Sequence, residues 1–339
     1  MASADEILDT TLRHAIDMER YKNGVVRRIV ALLNQIDDDI MRQISDVDLT
    51  DFAQSRLLLL EQNIVSMIDA GNVRLQANLE DELRELVNSE IDFYDDLATA
   101  ANPSSTPTSV IGVAATTRLN TDDVYAAAIG QPFRGRTLGE WFDSLGDQKK
   151  RKILDEIRIG FIEGESTDSL VRRLRGTPSG RFNDGVLTRL SRHNVETIVR
   201  TAVQYFNNFA LKHSMERAQV EYWQFVAVLD RRTSAECRGR SNKVYKVGDK
   251  SPWPPRHPRC RSVAMPLLSE DDLPNTLSYN DWLKKQPELV INEILGKRKA
   301  RLFLAGNLEL DSFTSRQGDE LTLTQLRRRH PQAWLRSDL

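Results

Sequence analysis

Two cysteines, Cys237 and Cys260, are the only thiols in this chain, and both lie in one stretch, residues 230–262: DRRTSAECRGRSNKVYKVGDKSPWPPRHPRCRS. His257-Pro258-Arg259-Cys260 forms an H-x2-C pair, close enough for both side chains to meet one metal ion, and Cys237 offers a third ligand. Structural zinc takes four N, S or O ligands in a tetrahedron, so Asp230 or another residue would have to complete the set. Three states are open for these residues: bound zinc, reduced thiols beside a packed and hydrogen-bonded His257, and a disulfide.

The same stretch carries ten Lys/Arg against three acids. Arg231, Arg232, Arg238, Arg240, Lys243, Arg256 and Arg259 are the candidates for DNA contact, which would run through phosphates, independent of sequence and sensitive to salt. Thr233-Ser234-Ala235-Glu236 fits a capping box, in which the Thr233 hydroxyl takes a backbone N–H and Glu236 reaches back. Asp230 can bond the same turn or pair with Arg231 or Arg261. Pro252, Pro254, Pro255 and Pro258 lock an extended path toward His257 and Cys260, and Trp253 can cover it. An alternative is a nuclease or hydrolase with His257 as general base beside Asp230 and an arginine. No GxSxG, HExxH, P-loop or paired-carboxylate signature supports that chemistry, so the expectation is a protein that is not an enzyme.

These residues need a frame, and the frame is helical. Ile29, Leu33, Ile36, Ile40 and Ile44 recur at three and four residues, the spacing of one helix face, within one long helix or two collinear ones expected over 4–46. After a turn at 45–48, Thr50 or Asp51 can cap a second helix with Ile64, Ile68, Leu75, Leu79, Leu83 and Leu86. Gly24 is expected to loosen the first helix and Gly71 to break or bend the second. Together they read as an acidic helical hairpin arm over 1–100, with 101–109 as a linker rich in Pro, Ser and Thr. Residues 110–268 follow as a body, and 269–339 as a helical tail. Within the body, Thr137 reads as a helix cap, residues 147–160 and 166–174 as helices, and 187–218 as a long helix. The period then changes: 222–229, 243–247 and 261–267 read as short strands, the last ending at Pro266. A helix is expected around Trp282 and another over 288–305, before a cluster at Arg327-Arg328-Arg329. The fold class is α+β, mostly helical: a long-helix hairpin, then a helical body with a small antiparallel sheet.

The net charge of −2 hides an asymmetry. Residues 1–100 hold nine Lys/Arg and twenty-one Asp/Glu, and the remainder thirty-eight and twenty-eight. An acidic arm on a basic body suggests partners of opposite charge. No apolar run is long enough to span a bilayer, no secretory signal is visible at the N-terminus, and two cysteines suggest a reducing cytosol.

The ordered combination of RTAVQYFNNFA (200–210), WQFVAVLDRRTSAEC (223–237), NKVY (242–245) and PPRHPRCRS (254–262) resembles the phage head morphogenesis family, the Mu F-like minor head proteins. The resemblance covers roughly 125–268, and Asp230, Thr233, Cys237, His257, Cys260 and Arg261 each match a motif position. Asn242 stands where the family often has glycine, and Ser234 where many members have a second cysteine, which counts against a full zinc site. The resemblance implies a few-copy virion structural protein, made in the host bacterial cytoplasm and located at the capsid interior or portal vertex. It would act in head assembly, genome packaging or DNA delivery, with the portal protein, capsid or scaffold proteins and genomic DNA as partners. It implies no catalytic activity.

Overall fold

The computed structural model describes residues 3–47, 54–101, 119–177, 179, 184–228, 233–248, 252–267, 279–306, 308–313 and 321–334. Helix α1 runs Ala4–Ser45 and α2 runs Gln54–Ala101. Ser3 and Glu6 close a capping box at the start of α1: the Glu6 N–H donates to Ser3 Oγ (3.2 Å), and the Ser3 N–H to Glu6 Oε2 (2.8 Å). The apolar stripes read from the sequence on both helices are buried. Gly71 does not break α2, which continues through it as α1 does through Gly24. Gly71 serves close approach instead: a Cβ there would lie 2.7 Å from Ile36 Cγ2. The caps expected at Thr50 and Asp51, and the linker 101–109 beyond residue 101, lie outside the described residues.

Helices α3 (Thr121–Ile129), α4 (Leu138–Glu163), α5 (Thr167–Arg175) and α6 (Val186–Arg217) follow. Thr137 caps α4 as expected, in a full capping box with Glu140. The helix expected over 147–160 is the second half of α4, which passes Gly146 and Gly160 and ends at the left-handed Gly164.

Strand β1 (Tyr222–Val226) is the centre of a three-stranded antiparallel sheet, flanked by β2 (Val244–Lys246) and β3 (Val263–Leu267). Trp223 sits opposite Tyr245 on one side and Pro266 on the other. Pro266 has no N–H to donate and is tolerated inside β3 because β3 is an edge strand. Between β1 and β2 lies the short helix α7 (Ala235–Arg240). The chain closes with α8 (Tyr279–Lys284), α9 (Glu288–Leu295), α10 (Lys297–Leu304), a 3-10 turn, α11 (Leu323–Arg329) and α12 (Pro331–Trp334). The single helix expected over 288–305 is two, because Gly296, at φ 77°, leaves the right-handed helical region. The architecture is mostly helical α+β with one small sheet.

The chain forms two compact units. One comprises Met1–Met18, Ser89–Asn120 and Asn207–Leu339, and the other Glu19–Asn88 and Thr121–Phe206. The hairpin read over 1–100 is thus shared between them. The first unit has its core around the sheet, with Trp223, Phe225, Met265 and Leu211 almost fully buried. A buried polar network sits in the same unit: Glu90 Oε2 meets His14 Nε2 at 2.6 Å and accepts from Asn207 Nδ2 at 2.8 Å, while Asn207 Oδ1 accepts from the Tyr94 hydroxyl at 2.9 Å. In the second unit, Lys22 and Lys149 are buried, bonded to Gln204 and Glu19 and to Asp37 respectively.

Candidate metal centre

The centre is built on α7 and on the turn that precedes β3. The Cys260 N–H donates to the His257 carbonyl at 3.1 Å, and Arg259 has a φ of 59°. With Pro258 at the second position and a positive φ at the third, this is the pattern of a type II turn. The turn brings His257 and Cys260 together. On the other side, the Ser234 hydroxyl accepts from the Cys237 N–H at 3.2 Å, caps α7 and fixes Cys237. This corrects the expected capping box: the cap is Ser234, whereas the buried Thr233 donates its hydroxyl to the Val228 carbonyl. Glu236 accepts from Arg256 Nε at 2.9 Å and from Arg240 Nε at 3.3 Å.

The ligand atoms of Cys237, His257 and Cys260 all lie within 4.8 Å of one another. Both cysteines are buried and free, with their sulfurs 3.7 Å apart. Zinc–sulfur bonds of about 2.3 Å at the tetrahedral angle place two sulfurs about 3.8 Å apart. The two thiols are therefore spaced as neighbouring ligands of one zinc ion, and with His257 they supply three donors of the kinds zinc takes. The His257 ring joins them from a half-buried position, its Nδ1 2.9 Å from the Pro258 carbonyl. That bond leaves Nε2 for a ligand role.

The electrostatics favour a ligand-ready sulfur. The hydrogen bond donated by Cys237 holds the Cys260 thiol well below its ordinary pKa, and the His257 ring and the Arg256 backbone N–H add to the effect against burial. The same bond, with burial, pushes the Cys237 thiol up. His257 is raised, first by its bond to Cys260. A thiolate beside an imidazole is the form that binds metal.

Asp230, Arg231 and Arg232 lie outside the described residues, as does the side chain of Arg238. Arg240 and Arg256 turn to Glu236, Lys243 is exposed, and Arg259 and Arg261 are half-buried and engaged. Trp253 stacks on the buried Trp223 at 4.4 Å and so covers the proline path. Asn242, in the position where the Mu F-like pattern has glycine, has a φ of 67°. Asparagine is among the few residues with side chains that take this region readily. Two further groups escaped the sequence reading. Ser262 is buried and bonds the Cys237 thiol, and Asn207, within the quoted helix motif, joins Glu90 to Tyr94. A run of two asparagines in an otherwise apolar helix face was the available signal for Asn207.

Fold and site together define a small sheet with a loop closed over it by two thiols and an imidazole. Residues 151–265 match the family described as phage Mu protein F like protein, within the span of the resemblance read from the sequence motifs. That segment is therefore similar to a family of phage head-related proteins. No curated protein and no solved structure matches the chain significantly. Among the described residues, no helix is long and apolar enough to cross a membrane.

Proposed function

We propose that the chain is a minor head protein, a low-copy structural component of the virion that acts in head assembly at the portal vertex. Its partners would be the portal protein and the capsid or scaffold proteins, with genomic DNA touched through phosphates. The observation that carries this reading is the Mu F-like match over 151–265, which contains the whole Cys237–His257–Cys260 cluster. In this reading the cluster is architectural. Zinc held by Cys237, His257 and Cys260 would tie α7 to the start of β3 and cross-link the loop between β2 and β3. Bound metal supplies cross-linking energy there, as in other structural zinc sites.

The test is quantitative mass spectrometry of purified DNA-filled particles and of empty precursors. A few copies in both are expected. Absence from both would sink the reading, and presence in filled heads alone would move the role from assembly to delivery.

A further inference from the structure

Helices α10 and α11 present a concentration of positive charge that the centre described above does not use. Lys297, Arg298 and Arg301 on α10, and Arg327, Arg328 and Arg329 on α11, are all exposed. The sequences of α10, α11 and α12 contain no acid. Among the described residues, none of these six cations has a carboxylate partner. This sets them apart from Arg240 and Arg256, which are held by Glu236. Six unneutralised cations repel one another and persist at a cost in stability unless a polyanion covers them.

The two helices also share a cleft of about 390 Å³, lined by Arg298, Leu323, Thr324, Arg327 and Trp334. One guanidinium from each helix thus faces the same space, beside a hydroxyl and a half-buried indole. Guanidinium forks match the paired oxygens of a phosphate, and an indole offers a stacking face to a base or sugar. A docked acidic protein would need an apolar anchor at the centre of its footprint. On α10 and α11 the only large apolar side chain with substantial exposure, among the described residues, is Leu304.

We propose that the α10–α11 face is a nucleic-acid backbone site, with Arg298 and Arg327 gripping phosphate in the cleft and the remaining cations following the strand. It deepens the head-protein reading and rests on it only for the identity of the occupant, the packaged genome. Particle composition tests that reading, whereas DNA binding by the isolated chain tests this one.

The experiment uses the full chain, purified under reducing conditions, and a fluorescein-labelled DNA duplex of arbitrary sequence, followed by anisotropy across a salt series. Binding should weaken linearly in log–log form, by a slope of about 0.9 for each phosphate engaged. Replacing Arg327, Arg328 and Arg329 together by Gln should flatten that slope by about 2–3 and weaken binding roughly tenfold or more at low salt. The same three changed to Lys should keep both. Circular dichroism should show every variant folded, since the three side chains are on the surface. Trp334→Ala should weaken a single-stranded probe while leaving the slope in place. Failure of the wild-type chain to bind DNA, or a Gln variant that binds with an unchanged slope, overturns the proposal. Displacement of the duplex by poly-glutamate at equal charge concentration would also overturn it, and would assign the face to an acidic protein.

Discussion

Chelation should lower the melting temperature of this protein, and the size of the drop follows from the geometry of the cluster. Two sulfurs 3.7 Å apart and a ring nitrogen within 4.8 Å of both give zinc three protein donors. A metal that binds only the folded chain stabilises it by RT ln(1 + [L]/Kd), about 2.7 kcal/mol at a hundredfold excess over Kd. For a chain of 339 residues each kcal/mol moves the melting temperature by about 1.4 °C, so stripping the metal should cost about 4 °C. The assay is calorimetry with reductant present, before and after a chelator, alongside elemental analysis for a single zinc per chain. Cys260→Ser should start near the stripped wild type and not respond to the chelator. Ser234→Cys tests the same geometry from the other side. The Ser234 hydroxyl already reaches Cys237, so a sulfur there would supply a further ligand. Each tenfold gain in affinity adds about 1.4 kcal/mol, and cobalt substituted into the variant should show stronger thiolate charge-transfer absorption than in the wild type. Thiol titration after chelation should count two free cysteines. Zinc-free protein with two free thiols and a melting temperature indifferent to chelator would refute the metal reading and leave a packed thiol–imidazole cluster. No titratable thiol would point to a disulfide.

Three further outcomes are expected. Lys149→Met should destabilise the chain by about 1–3 kcal/mol at neutral pH, because the half-buried Asp37 is left without its cation. Burial raises the Asp37 carboxyl above its ordinary 3.8 against the pull of Lys149, so native stability falls as pH climbs through the folded pKa; the deficit of Lys149→Met should be smallest near the acid end and grow toward neutrality in urea titrations at several pH values. Asn207→Leu should cost about 2–4 kcal/mol by denaturant melts, since it removes the acceptor of the buried Tyr94 hydroxyl and one donor to Glu90; equal midpoints would show the network idle. Gly71→Val should destabilise by about 1–3 kcal/mol, since its Cβ alone would press within 2.7 Å of Ile36 Cγ2, and Ile36→Ala should relieve part of that cost in a double-mutant cycle.

What could be read ahead of the structure was what chemistry encodes locally. The Thr137 cap, the apolar stripes of α1 and α2, the three short strands and the H-x2-C turn each depend on residues within a few positions, and each appears where its pattern lies. The errors fall where two local readings compete and a distant contact decides. Thr233 and Ser234 are both competent caps; the Val228 carbonyl takes the Thr233 hydroxyl and leaves the cap to Ser234. Gly71 carries the same helix penalty anywhere, and only Ile36 across the hairpin turns it into a packing requirement. Lys149 with Asp37, and Asn207 with Glu90, are separated by 112 and 117 residues, and no periodicity marks a polar side chain whose partner is that far away. The α10–α11 face is of the same kind. Arg298 is one cation among many in the sequence and Arg327 one of a basic run, and they become a candidate site only because the fold places them on one cleft with Trp334. Spacing in the sequence therefore located the Cys237–His257–Cys260 centre, whose closing turn is local, and marked only the Arg327–Arg329 half of the charged face, whose cleft exists only after α10 and α11 have met.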